Sequence, residues 1–180
     1  MPNWCNNNIT ITGPKKVIDK IEKITKKDKP DLLNYFHPMP KGLRDTTADG
    51  SKDKAMIKKY GYSSWYDWAV ENWSTKWDVC EFHGIQKHDY GISFGFDSAW
   101  APPIGAYQKF LDENPNVNIR TTYYEGGCDF MGIWDNGDDI CYEISSIAPK
   151  GSKDKFWKTS EGKELDDLYG ITESMEEYEY

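Results

Sequence analysis

Twice along this chain a run with the two-residue period of a strand is followed directly by a run with the period of a helix, and this order constrains the fold more than any other feature. Ile9 and Ile11 alternate with Thr10 and Thr12 over residues 8–12, and Gly13-Pro14 punctuates the end. Val17, Ile18, Ile21 and Ile24 then share one face of an amphipathic helix over residues 15–27. Later, Ile92, Phe94 and Phe96 alternate over residues 90–97, and Pro102-Pro103 open a second helix over 103–114 that carries Ile104, Tyr107, Phe110 and Leu111 on one face. Two such helices must cover one side of a sheet.

Further strand-like runs occupy residues 32–36, 79–86 and 117–123. A hairpin of 130–134 with 139–144 turns on Asn136-Gly137, the strongest turn signal in the chain. Trp65, Trp68, Ala69 and Asn72 recur at helical spacing behind Ser63-Ser64, which predicts a short capped helix. The resulting order predicts an α+β, ferredoxin-like fold: an antiparallel sheet with two helices on one face, plus an insertion and an extra C-terminal hairpin. A doubly wound α/β sheet does not fit, because too few helices separate the later strands. One ferredoxin-like domain is expected over residues 1–146, with an exposed insertion at 38–61 rich in Pro, Gly, Lys and Asp, and a surface arm over 147–180.

Charge has to be located before it is interpreted. The net charge is -8, and residues 161–180 alone hold eight acids against Lys163, so the rest of the chain is close to neutral. The terminal arm reads as an acidic, solvated end that adds little to stability. An acidic end favours a basic protein surface as partner and does nothing for an anionic one. The lysines of the insertion, Lys52, Lys54, Lys58 and Lys59, form too small a cluster to indicate nucleic acid as the partner. No apolar run approaches the ~18 residues of a membrane span. The first residues lack the basic and apolar segments of a secretion signal, so a cytoplasmic location is expected.

Signals for chemistry are sparse. Cys5, Cys80, Cys128 and Cys141 contain no C-x-x-C pair, and His37, His83 and His88 do not sit at ligating spacing, so neither a metal nor another cofactor is expected. There is no Gly-rich phosphate loop, no H-E-x-x-H and no nucleophile elbow, and a small enzyme ranks last among the functional readings, with no catalytic residue assigned. Tryptophan and polar side chains instead concentrate in four segments, residues 2–7, 72–78, 97–103 and 124–130, each at a strand end or strand–helix junction. If these ends converge, Trp4, Asn6, Trp73, Lys76, Trp77, Asp78, Trp100 and Glu125 form a ligand- or partner-binding site. Its rings would be able to stack a nucleobase, and Lys76 would meet a phosphate. The competing reading makes the same tryptophans core wedges.

Three of these segments carry a resemblance. Met1-Pro2-Asn3-Trp4-Cys5-Asn6-Asn7 with its Ile-x-Ile-x-Gly, Asn72-Trp73-x-Thr75-Lys76-Trp77-Asp78, and Asp97-x-Ala99-Trp100-x-Pro102-Pro103 are similar to the YubB-like proteins of bacteriophages, prophages and plasmids. The resemblance runs from residue 1 to about 135 and omits residues 41–62 and the acidic end. It implies a ferredoxin-like, Api-type domain and an accessory role for a mobile element inside a bacterium, and it brings no catalytic residues. The first functional expectation is therefore a protein that binds and blocks a host protein such as a defence or regulatory factor. Sequestration of a nucleotide in an aromatic pocket is the alternative. An antiparallel sheet edge also leaves a homodimer open.

Overall fold

The computed structural model describes residues 3–50, 52–79 and 81–178. In chain order its elements are β1 (Trp4–Thr12), α1 (Lys15–Thr25), α2 (Leu32–Phe36), α3 (Lys41–Arg44), α4 (Lys54–Tyr60), α5 (Trp65–Trp73), β2 (His83–His88), β3 (Gly91–Ala99), α6 (Ile104–Glu113), β4 (Asn118–Glu125), β5 (Phe130–Asp135), β6 (Asp138–Glu143), α7 (Ile144–Ile147), α8 (Ser160–Tyr169) and α9 (Ile171–Tyr178). The strands form one antiparallel sheet in the order β2-β3-β1-β4-β5-β6. The first four strands in that order, with α1 and α6, are the ferredoxin-like unit, and the β5-β6 hairpin widens it. Asn136 and Gly137 both have positive φ, 50° and 110°, as the two-residue turn requires.

Strand parity decides what each sheet face holds. Cys5, Asn7, Ile9 and Ile11 of β1 point to the same side as Ile92, Phe94 and Phe96 of β3 and Ile119 and Tyr123 of β4, and all are buried. Ile18, Ile21 and Ile24 of α1 and Ala106, Tyr107 and Phe110 of α6 join that same core, so both helices cover one face. The segment at 32–36 is α2 and not the expected strand. A five-residue apolar run does not distinguish the two periods, and here Asp78 closes the helix N-terminus from 45 residues away. The region 38–61 is more anchored than an exposed insertion, because Met39 and Leu43 are buried and Met56 and Tyr60 pack against the core.

The larger correction lies beyond residue 146. Instead of projecting as a surface arm, this segment packs on the opposite sheet face, where Met131, Ile133, Ile144, Phe156, Trp157, Leu165 and Ile171 form a second buried cluster. Leu165, Leu168, Tyr169 and Ile171 carry the 3–4 spacing of a docked helix, and the surrounding acids outweighed that signal in the expectation of a solvated arm. Two contacts fasten α8 to β4: Arg120 makes a two-pronged pair with Glu164 at 2.5 and 2.7 Å, and Tyr169 bonds Thr122 at 2.9 Å while stacking on Tyr124. Among the described residues, no helix is long and apolar enough to cross a membrane.

Candidate functional site

The start of β1, the end of β3 and the stretch after α5 meet at one end of the sheet's strands, and specific bonds hold them there. Asn7, buried on the core face, donates from Nδ2 to the Cys5 carbonyl at 2.8 Å and to Ser98 Oγ at 2.9 Å. Ser98 Oγ in turn donates to the Ala101 carbonyl at 2.7 Å, which bends the chain out of β3. Trp100 sits in this bend with φ 69°, a left-handed conformation uncommon for a bulky residue, and its N–H donates to the Asn3 carbonyl at 3.0 Å.

The other wall comes from the C-terminus of α5. Ser74 ends that helix in the left-handed region at φ 66°, and the buried Thr75 donates to the Ala99 carbonyl at 2.8 Å. Gly105 lets α6 approach closely here, since a Cβ at that position would lie 2.6 Å from the Asn72 carbonyl oxygen. Lys76 and Trp77 are thereby set against Trp4 and Trp100.

The result is an exposed aromatic patch around one ammonium. Lys76 Nζ lies 4.5 Å from the Trp77 ring centroid, 5.0 Å from that of Trp100 and 5.9 Å from that of Tyr66. The Trp4 and Trp77 centroids are 6.2 Å apart, and those of Tyr66 and Trp100 are 6.5 Å apart. Trp4 and Trp100 remain 44% and 39% exposed, too open for core wedges. Beside them on the same sheet face, Asn6 Nδ2 donates to Asp97 Oδ1 at 2.6 Å, and Asp97 is exposed.

Four of the sequence candidates thus come together (Trp4, Lys76, Trp77 and Trp100), with Asn6 alongside. Trp73 does not join them. It is buried, its indole N–H donates to the His37 carbonyl at 2.8 Å, and it packs edge-on against Trp68, which makes it a core wedge. Asp78 also turns inward, where its carboxylate accepts the N–H groups of Leu33, Asn34 and Val79 at 2.8–2.9 Å. Glu125 is buried behind the Gly126-Gly127 turn and accepts the Gly127 N–H at 3.0 Å. The turn itself borders a groove of about 790 Å³ with Ile144, Ile171 and Met175 on its far side. Asn3 ties the turn to the patch by donating to Cys128 Sγ at 3.3 Å. Tyr66 escaped the sequence reading; its one signal was an aromatic ring off the inward stripe of α5.

Cys5 is a buried thiol, and its burial raises it above the ordinary thiol range. Cys128 and Cys141 are free and exposed, and Cys80 lies outside the described residues. Among the described residues, no three His, Cys, Asp or Glu side chains gather as a metal site.

Asp78 gives a pH-dependent prediction. Burial pushes its carboxyl up to about 6 from 3.8, while the three N–H donors pull the other way. The folded state therefore holds this proton more tightly than the unfolded chain. The stability it contributes is complete below the unfolded value and is lost as pH rises through about 6. Denaturation midpoints of the native protein should fall across that window, and Asp78→Asn should flatten this component. An unchanged profile in the variant would show that the carboxylate is not the source.

No model of a known protein family matches the sequence, and no curated protein matches it. Among solved structures, the chain is similar to protein api92 from Yersinia pseudotuberculosis, of family DUF1281, with 12% identity and a TM-score of 0.46, over 79% of this chain and 98% of that one. The ferredoxin-like assignment stands on this chain's own strand order and helix placement.

Proposed function

We propose that this protein acts by binding another protein through the patch of Trp4, Tyr66, Lys76, Trp77 and Trp100. The observation that carries the proposal is the pair of tryptophans left 44% and 39% exposed while packed on further rings. Covering them removes apolar area from water at about 25 cal/mol per Å², and Trp and Tyr are the residues on which interface energy concentrates. The eight acids of residues 161–180 support a protein partner with a basic surface over an anionic nucleotide. The motifs that resemble those of YubB-like mobile-element proteins make a host defence or regulatory protein the partner to seek, with blocking of that partner as the outcome.

The test is affinity capture from bacterial lysate with the native protein and with Trp4→Ala and Trp100→Ala. Each substitution should cost about 2 kcal/mol or more of binding, roughly thirtyfold in Kd, without changing the circular dichroism. Equal capture by the variants, or a small molecule that co-purifies in place of a protein, would overturn the proposal.

A further inference from the structure

The aromatic patch already contains a cation, and it is the protein's own. Rings of Trp77, Trp100 and Tyr66 lie 4.5, 5.0 and 5.9 Å from Lys76 Nζ, all within the ~6 Å over which a ring face attracts an ammonium. Among the described residues, no carboxylate pairs with Lys76, so the rings alone hold it. Trp100 is still 39% exposed, which leaves the cage open on one side. Asp97, an exposed carboxylate that accepts the Asn6 amide, lies on the same sheet face as Trp4, two residues along β3 from the Ala99 that pairs with Trp4. Flat rings with one adjacent carboxylate are the chemistry that recognises a guanidinium or an ammonium. The acids of residues 161–180, which hold most of the net charge of -8, attract a basic surface over long range.

Resting on the protein-binding reading above, we propose that the cage receives an arginine or lysine side chain from a basic segment of the partner. Lys76 is the internal occupant that gives way. In water Lys76 loses little on leaving, since an exposed ammonium is well hydrated, so the exchange is balanced by the rings and tipped by Asp97. An internal competitor weakens the apparent affinity by the fraction of time it holds the site. The consequence runs against intuition for a binding residue: removing Lys76 should strengthen binding.

The experiment titrates the full-length protein with a tetra-arginine peptide and with a tetra-glutamate peptide, following tryptophan fluorescence. Lys76→Met should bind tetra-arginine about two- to fivefold more tightly, the range given by an exposed cation–π contact. Lys23→Met, the same change of charge at an exposed position of α1, should match the native protein. Trp100→Leu should weaken binding. If Lys76→Met binds no more tightly than Lys23→Met, or if tetra-glutamate is the peptide that binds, the cage does not receive cations. Partner capture separates the two claims. Capture that needs Trp4 and Trp100 but is weakened by Lys76→Met keeps the protein-binding function and overturns the cage. Capture indifferent to both tryptophans removes the patch itself.

Discussion

Truncation after Thr159 should abolish the cooperative thermal transition, although it removes the most acidic and polar part of the chain. Leu165 and Ile171, at 0% and 1% exposure, close the second core over Met131, Ile133, Phe156 and Trp157. Each of those four side chains is stabilised by burial by about 1.5–3 kcal/mol, a total comparable with the whole 5–15 kcal/mol or so by which domains are stable. The loss of Glu164 also leaves Arg120 without its two-pronged partner. Leu165→Ala isolates the packing contribution and should cost about 2–5 kcal/mol. Leu168→Ala, on the 45% exposed side of the same helix, should stay within about 0.5 kcal/mol. A truncated protein that melts like the full chain would mean that α8 and α9 merely rest on the sheet.

Asn7→Leu should be nearly as damaging, and its damage should reach the surface. The two side chains have similar volume, so no cavity is made. What is lost is the amide that donates to the Cys5 carbonyl, to Ser98 Oγ and, at 3.4 Å, to the Phe96 carbonyl, all in the interior. Each such bond contributes about 0.5–1.5 kcal/mol net. Because Ser98 also holds the Ala101 carbonyl, the bend that carries Trp100 should loosen along with the core. Denaturant titration reads the first effect and acrylamide quenching of tryptophan reads the second. Normal stability with unchanged quenching would show that the amide network is dispensable.

Asn7 also shows what was legible in the sequence. It falls in phase with Cys5, Ile9 and Ile11, so parity alone places it on the buried face, and the same period fixed β1, β3, β4 and the hairpin, as the helical period fixed α1 and α6. The convergence of segments 2–7, 72–78 and 97–103 was also legible, because antiparallel order sends those strand ends to one end of the sheet. Which side chains of segment 72–78 face outward was not. Trp73 still belongs to α5, Ser74 reverses the chain in the left-handed region, and only then do Lys76 and Trp77 emerge, before Asp78 turns back to cap α2. That sequence of turns depends on Thr75 bonding Ala99 across 24 residues, a contact no local pattern announces. The docking of the C-terminal helices was hidden for a different reason: their apolar positions are spaced 3–4 residues apart, but the side chains they pack against, Met131 and Ile133, lie on β5.

The place of β1 in the sheet has a consequence for how the chain is made. Of the described strands it is the first to leave the ribosome, yet it lies between β3 and β4, whose residues paired with it begin at Gly91 and end at Tyr124. Until both neighbours have been synthesised, its backbone donors and acceptors have no sheet to join. At ordinary translation rates that interval is on the order of 5–20 s. During it, α1 can form from local contacts, but the strand it follows must wait as a nascent, unprotected edge. Vectorial synthesis therefore makes the pairing of Trp4–Thr12 wait on the middle third of the chain and the first few residues beyond it.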